Sequence, residues 1–206
     1  LNLLFAVYSA ADLPPATGRY ISQLEESDWI LRSDALHYLA EHGVKSALAP
    51  IRSIAEDKSE TPWIRGRALV ALCKIQAQKD LPPLLLKFSS APDSQLRAAA
   101  GEALEAYTGT AARALSLRLL SDTVAAVKYR AIATYASMEG AAAWPTIDQP
   151  TRAPAPPVLP LAARALAFTG TDEALVRLVT LVDDQAITRR QTGNIVRFLT
   201  DVPEPK

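Results

Sequence analysis

The stretch that decides the fold is residues 96–104, which reads Leu-Arg-Ala-Ala-Ala-Gly-Glu-Ala-Leu. Leucines stand at both ends, and a small residue, Ala100, stands midway between them, four positions from each. Residues four positions apart lie on nearly the same face of an α-helix. The stretch therefore predicts a helix with a large, small, large stripe, and the small residue allows a neighbouring helix to approach closely.

The same stripe recurs along the chain, at spacings of 30 to 33 residues. The last large position of the stripe, called the reference position, is occupied in turn by Leu39, Leu72, Leu104, Tyr135, Leu166 and Val196. The small position, four residues earlier, holds Ala35, Ala68, Ala100, Ala131, Ala162 and Thr192. The first large position, eight residues earlier, holds Leu31, Ile64, Leu96, Val127, Val158 and Thr188. A fixed period in this range is typical of a repeat architecture.

Helix-start signals precede the stripe. Asp28, Thr61 and Asp93 each lie eleven residues before the reference position, where a side-chain oxygen caps a helix, and Pro62 occupies the favoured first helical position. Shorter apolar segments between the striped helices predict a first helix for each pair, at residues 20–24, 44–55, 81–88, 111–120 and 173–182. The chain is therefore predicted to be all-α, with about six helix pairs.

These columns resemble the HEAT-like repeat family, in the short form of about 30 residues that phycobilin lyase subunits also have. The resemblance covers roughly residues 20–200. It implies an α-solenoid, a right-handed superhelix of stacked antiparallel helix pairs whose second helices line a concave face. We expect one repeat domain over residues 20–200 and a tail at 201–206.

The fifth copy departs from the pattern because six prolines fall within residues 145–160. Proline removes a helical hydrogen bond and clashes with the preceding turn. We therefore expect a short or absent first helix in this pair, and an irregular loop near 145–160 that is extended and polyproline II-like from about residue 149 to 157.

Composition argues against several classes of function. Lys plus Arg equals Asp plus Glu, at 22 each, so the chain as a whole lacks the positive field that attracts nucleic acid. The single cysteine, Cys73, is expected to be a buried, inert thiol, and His37 and His42 are too far apart along a helix to share a metal. We expect no catalytic residue, no metal and no cofactor.

The N-terminal segment, residues 1–19, is open to two interpretations. Residues 1–11 are apolar and end in a small-residue stretch, which is typical of a signal-peptide remnant, but they are equally consistent with the last turns of an upstream helix. No apolar run approaches the ~20 residues that span a bilayer. Localisation stays open between the cytoplasm and export to a periplasm.

Two sets of side chains are candidate binding residues. A basic column, seven residues before the reference position, comprises Arg32, Arg65, Arg97 and Lys128. It would bind phosphate or an acidic peptide, or else each member pairs with a cap Asp or a first-turn carbonyl of the adjacent repeat. The second set is Trp29, Trp63 and Trp144. They would form an aromatic contact surface, or else fill the gaps between stacked helix pairs. Trp144 is expected to be the most exposed of the three.

The leading interpretation is a non-enzymatic protein-binding scaffold module that uses its concave face and forms part of a larger bacterial protein. Its partner is not identified, and self-association through the terminal repeats is a further possibility. The resemblance implies an alternative, which is an enzyme or enzyme subunit. It would be similar to bilin lyases or to glycosylases of alkylated DNA, although the neutral charge of the chain argues against the second.

Overall fold

The structure is a computed structural model in which residues 15–76 and 80–183 are described. These residues form helices, turns and loops and contain no β-strand. The α-helices are α1 Pro15–Gln23, α2 Trp29–Glu41, α3 Leu48–Glu56, α4 Pro62–Gln76, α5 Pro83–Ser89, α6 Ser94–Ala103, α7 Thr110–Leu120, α8 Ala125–Glu139, α9 Trp144–Ile147, α10 Leu159–Thr169 and α11 Asp172–Asp183. Short 3-10 helices lie at Lys45–Ala47, Leu104–Ala106, Gly140–Ala143 and Pro156–Val158. The all-α prediction is confirmed for this part of the chain.

Three predictions concern residues outside the described ones. They are the two interpretations of residues 1–11, the second helix of the sixth copy with Thr188, Thr192 and Val196, and the tail at 201–206.

The chain divides into two compact units, Leu1–Tyr107 and Thr108–Lys206. In the first unit α1 packs on α2, α3 on α4 and α5 on α6, while the second helices of the pairs, α2, α4 and α6, pack in series. In the second unit α7 packs on α8, α8 on α10, and α10 on α11. Each unit is thus built from helix pairs whose second helices pack on one another.

The predicted stripe is the seam between these second helices. In the five described copies the small position is completely buried in every case, and the reference position is at most 4% exposed. The first large position is also buried, with the exception of Leu31, which is 37% exposed. Burial of one such large side chain contributes about 1.5–3 kcal/mol, so the seam supplies much of each unit's stability.

The predicted helix starts are also confirmed. The Oδ1 atoms of Asp28 and Asp93 accept hydrogen bonds from the backbone N–H groups two residues later, at 2.7 Å in both cases. Thr61 Oγ1 accepts more weakly, from the N–H of Ile64 at 3.4 Å, and α4 begins at Pro62. These caps fix where each second helix starts, and therefore the depth at which its stripe meets the neighbouring helix.

Helices α4 and α6 approach each other closely at Gly66. A Cβ atom added to this glycine would lie 2.7 Å from the Cβ of Ala99, which is closer than two carbon atoms can pack. Gly66 is therefore required by its neighbour, since its backbone conformation is helical and would accept any residue.

Replacement of Gly66 by alanine is expected to destabilise the protein by about 1–3 kcal/mol, because α4 and α6 must move apart. Gly18 provides a matched control, since it too lies in a helix and a Cβ added to it would meet no atom within 4 Å. Gly18→Ala should be neutral or stabilising by up to about 1 kcal/mol. Urea unfolding followed by circular dichroism measures both, and Gly66→Ala combined with Ala99→Gly should be no less stable than Ala99→Gly alone.

The proline-rich segment is more ordered than the sequence indicates. A 3-10 turn at Gly140–Ala143 leads into α9, so a short first helix is present. Residues 148–151 then form turns and 152–153 a bend, and only 154 and 155 have no assigned structure before the 3-10 helix at Pro156–Val158. The expectation of an extended loop from 149 to 157 is therefore wrong over most of its length.

Hydrogen bonds explain this difference. The Thr151 side chain is completely buried, and its hydroxyl donates to the carbonyl oxygen of Ile147 at 2.8 Å. The hydroxyl of Tyr129, on α8, donates to the carbonyl oxygen of Pro150 at 2.6 Å. Side chains therefore satisfy carbonyl groups that a longer helix would have satisfied, and the segment is held against α8.

An ion pair and a hydrogen bond also join the proline-rich segment to α11. The carboxylate of Asp148 lies 2.7 Å from Arg152 Nη2 and 2.9 Å from Arg177 Nη2. Arg177 also donates to the Asp148 carbonyl oxygen at 3.0 Å, and its guanidinium lies 5.4 Å from the ring centre of Trp144. The hydrogen bond from Arg152, together with that from Arg177, lowers the pKa of Asp148 below its usual range.

A lowered pKa in the folded state means that the ionised carboxylate stabilises the fold above the ordinary Asp pKa, and that this contribution is lost as the pH falls through the folded pKa. Asp148→Asn should therefore lower the Tm at pH 7, and the difference from the wild type should shrink as the pH falls below about 4. Thermal unfolding at a series of pH values tests this. A difference that stayed constant down to about pH 2 would contradict it.

Candidate functional site

The basic column lies along the first turns of the second helices, and two of its members bind backbone oxygens. Arg65 Nε donates to the carbonyl oxygen of Ala55, in the last turn of α3, at 3.2 Å. Arg97 Nη1 donates to the carbonyl oxygens of Ala91 and Pro92, just before α6, at 2.9 and 2.7 Å. Both arginines thus satisfy carbonyl groups at the turn that connects the two helices of their own pair.

The other two members behave differently from each other. Arg32 forms an ion pair with Glu60, and both side chains are largely buried, so the pair links α2 to the turn before α4. Lys128 is half-buried and makes no ion pair with any described residue. Arg32 thus pairs with a carboxylate one residue before the cap of the next helix pair, and Arg65 with a carbonyl group of its own pair, so the contacts of both arginines are structural. A binding role for the column stays a prediction.

Arg65 and Lys128 occupy equivalent positions but differ in their contacts, so they form a matched pair. Arg65→Ala is expected to destabilise the protein by about 1–3 kcal/mol, because a charge-assisted hydrogen bond and the contact with Phe88 at 5.4 Å are lost. Lys128→Ala should change stability by less than about 0.5 kcal/mol. Urea unfolding measures the free energy of unfolding of both variants. An effect of Arg65→Ala as small as that of Lys128→Ala would show that the contacts of Arg65 contribute nothing to stability.

Trp144 is less exposed than the other two tryptophans. Trp144 is half-buried against the core formed by α8 and α10, since α9 exists and holds it there. Trp29 is 58% exposed and Trp63 is 39% exposed. The expectation that Trp144 would be the most exposed is therefore wrong.

Trp29 and Trp63 form one feature on the surface of the first unit. Their ring centres lie 5.2 Å apart with an angle of 85° between the planes, which is an edge-to-face contact. Ile30 and Leu31, which follow Trp29 in the first turn of α2, are 50% and 37% exposed. We call these four residues the tryptophan surface. The ion pair between Arg32 and Glu60 fixes the two helix starts that carry it.

Acidic side chains lie in the turns that lead into α2 and α4, and they were not among the candidates from the sequence. Glu25, Glu26 and Asp28 immediately precede Trp29, and Asp57 lies six residues before Trp63. All four are exposed, and none forms an ion pair with a described Lys or Arg. The available signal was the run of three carboxylates in four residues directly before an aromatic residue.

Asp57 is held as a carboxylate by its own turn. Its Oδ1 accepts hydrogen bonds from the hydroxyl of Ser59 at 2.7 Å and from the Ser59 N–H at 2.8 Å. These bonds lower the pKa of Asp57, so it carries a negative charge throughout the neutral pH range. The surface therefore combines exposed aromatic rings with fixed negative charge.

The cysteine lies in the core, and the two histidines lie at the surface. Cys73 is buried, and that burial raises the pKa of its thiol to about 11, so almost no thiolate is present at neutral pH. His37 and His42 are exposed. Within residues 15–76 and 80–183 no group of three or more His, Cys, Asp or Glu side chains could hold a metal ion.

None of the helices in the described part is long and apolar enough to cross a membrane.

Helix pairs with a recurring seam define the class as an α-solenoid of stacked repeats. Residues 19–105 match the family model described as HEAT repeats, so this part of the chain consists of HEAT-like repeats. No curated protein matches the chain in sequence.

Several solved structures have a similar fold. The complex of CpcE and CpcF of phycocyanin lyase from Nostoc sp. PCC7120 is 19% identical, with a TM-score of 0.50, and the match covers 94% of this chain and 97% of that one. A designed armadillo repeat protein is 17% identical, with a TM-score of 0.44 over 88% of this chain and 98% of that one. Human deoxyhypusine hydroxylase in complex with glycerol is 15% identical, with a TM-score of 0.43 over 91% of this chain and 85% of that one.

Proposed function

We propose that the chain is a protein-binding scaffold module, and that it binds its partner through the tryptophan surface at the starts of α2 and α4. The observation that supports this proposal is the pair of exposed indoles, Trp29 and Trp63, which contact each other at 5.2 Å. A tryptophan side chain has roughly 150–250 Å² to bury, and tryptophan is among the residues that dominate binding energy in protein interfaces.

The surface is also pre-organised. Trp29 is the first residue of a helix capped by Asp28, and Trp63 is the second residue of a helix that starts at Pro62. The ion pair between Arg32 and Glu60 links those two helix starts. A partner would therefore meet side chains that are already in place, which reduces the entropy lost on binding.

The proposed site uses the second of the two candidate sets, the tryptophans, and not the basic column. It lies at the first turns of second helices, where the basic column had been expected to bind, but the arginines there hold the helix pairs together. The exposed aromatic rings, rather than the guanidinium groups, are the side chains available for a partner. In this proposal the arginines support the binding surface without contacting the partner.

A selection from a random peptide library against the full chain tests the proposal. Peptides that bind the wild type should lose at least about tenfold in affinity for Trp29→Ala or Trp63→Ala, since each removes a hot-spot side chain. Fluorescence anisotropy of the labelled peptides measures the affinities, and circular dichroism checks that the variants remain folded.

The control is a second exposed apolar surface on α11. Val176 and Val179 are 68% and 63% exposed, so Val176→Ser with Val179→Ser removes a comparable apolar area from the second unit. This double variant should bind the selected peptides as the wild type does. Peptides that bind equally well to the tryptophan variants, or that depend on the α11 valines, would contradict the proposal.

A further inference from the structure

We infer that the tryptophan surface selects a basic partner segment, one that places Arg or Lys side chains against the indoles and beside the acidic residues. This inference rests on the proposed function, and it identifies the chemistry of the partner. Three observations support it: the charge around Trp29 and Trp63, the open indole rings, and a contact of the same kind inside the second unit.

The charge comes from Glu25, Glu26, Asp28 and Asp57, which are exposed and make no ion pair with a described Lys or Arg. Lys58 is the one basic residue in the two turns that precede α2 and α4, at 24–28 and 57–61. With Glu60 included, the two helix starts carry five carboxylates against Lys58, Arg32 and Arg65, so their charge is negative although the whole chain is neutral. Such an imbalance attracts cationic groups and repels phosphates and anionic lipid headgroups.

The indoles supply the second half of the site. A cation above an indole ring is attracted by its negative face, and among aromatic residues tryptophan binds cations most strongly. The edge-to-face contact, with 85° between the rings, leaves much of both indoles exposed, and no Arg or Lys of the described residues lies over either ring.

The chain itself contains the complete arrangement elsewhere. In the second unit the guanidinium of Arg177 lies 5.4 Å from the ring centre of Trp144 and 2.9 Å from the carboxylate of Asp148. An aromatic ring and a carboxylate together hold that cation. At the tryptophan surface Trp29 directly follows the carboxylate of Asp28, so the same two kinds of group are present, and the partner would supply the cation.

The test uses the peptides selected in the experiment above. Peptides that depend on Trp29 or Trp63 should be enriched in Arg and Lys over the starting library. Replacement of their arginines by citrulline, which keeps the planar group but removes the charge, should weaken binding by at least about tenfold. Raising NaCl from about 0.05 to 0.5 M should weaken the arginine peptides and leave the citrulline peptides unchanged.

A charge variant of the protein separates the acidic residues from the indoles. Glu25→Gln, Glu26→Gln and Asp28→Asn together remove three charges, and asparagine still caps α2. This variant should bind the arginine peptides about tenfold more weakly and the citrulline peptides as before. Asp34→Asn is the control, because Asp34 is outside the cluster on the same helix and lies roughly 140° around it from Trp29.

The outcomes distinguish the two proposals. Peptides that depend on the tryptophans but show no excess of Arg and Lys, or tolerate citrulline, would overturn this inference and leave the proposed function standing. A selection that yields no tryptophan-dependent peptide would overturn both. Tryptophan-dependent binding to phosphatidylcholine vesicles, or dimerisation that Trp63→Ala abolishes, would also overturn the inference, since a lipid surface or a second copy would then occupy the site.

Discussion

The close contact of second helices through alanine is the interaction on which the rest of the structure depends. At every described copy the middle of the stripe is an alanine with no exposed surface, so neighbouring helices can approach until their large residues interlock. Between α4 and α6 the approach is closer still, and only glycine fits. The interior consists mainly of small and aliphatic residues, with Phe88, Tyr107, Tyr129 and Tyr135 as buried aromatic residues, while Trp29 and Trp63 lie at the surface.

Most of the fold could be predicted from the sequence, because each copy of a stripe that recurs at a nearly fixed interval supports the assignment of the others. The alanines at 35, 68, 100, 131 and 162, and the caps at 28, 61 and 93, all lie where the period places them. Helix pairing depends on local patterns of this kind, and such patterns can be recognised in a single sequence. The proline-rich segment was predicted less well, since its order depends on Tyr129 and Arg177, which are distant in sequence.

The candidate site was harder to predict for a physical reason. Whether an arginine at a helix start binds a partner or a backbone carbonyl depends on where the preceding helix ends, and no period in the sequence shows this. Arg65 and Arg97 reach the carbonyl groups at that turn, so their regular spacing reflects the regular geometry of the helix pair. A repeated polar residue in a repeat protein can therefore be regular because it is structural.

The fifth helix pair shows how much irregularity such an array accepts. Its first helix is reduced to a 3-10 turn and the four residues of α9, yet α8 and α10 still pack along the common seam. Side chains of neighbouring elements hold the remainder in place, so the register of the second helices does not depend on a complete partner helix. During evolution, insertions and replacements can therefore accumulate in the first helices of such proteins, and new loops can arise there without changing the number or order of the repeats.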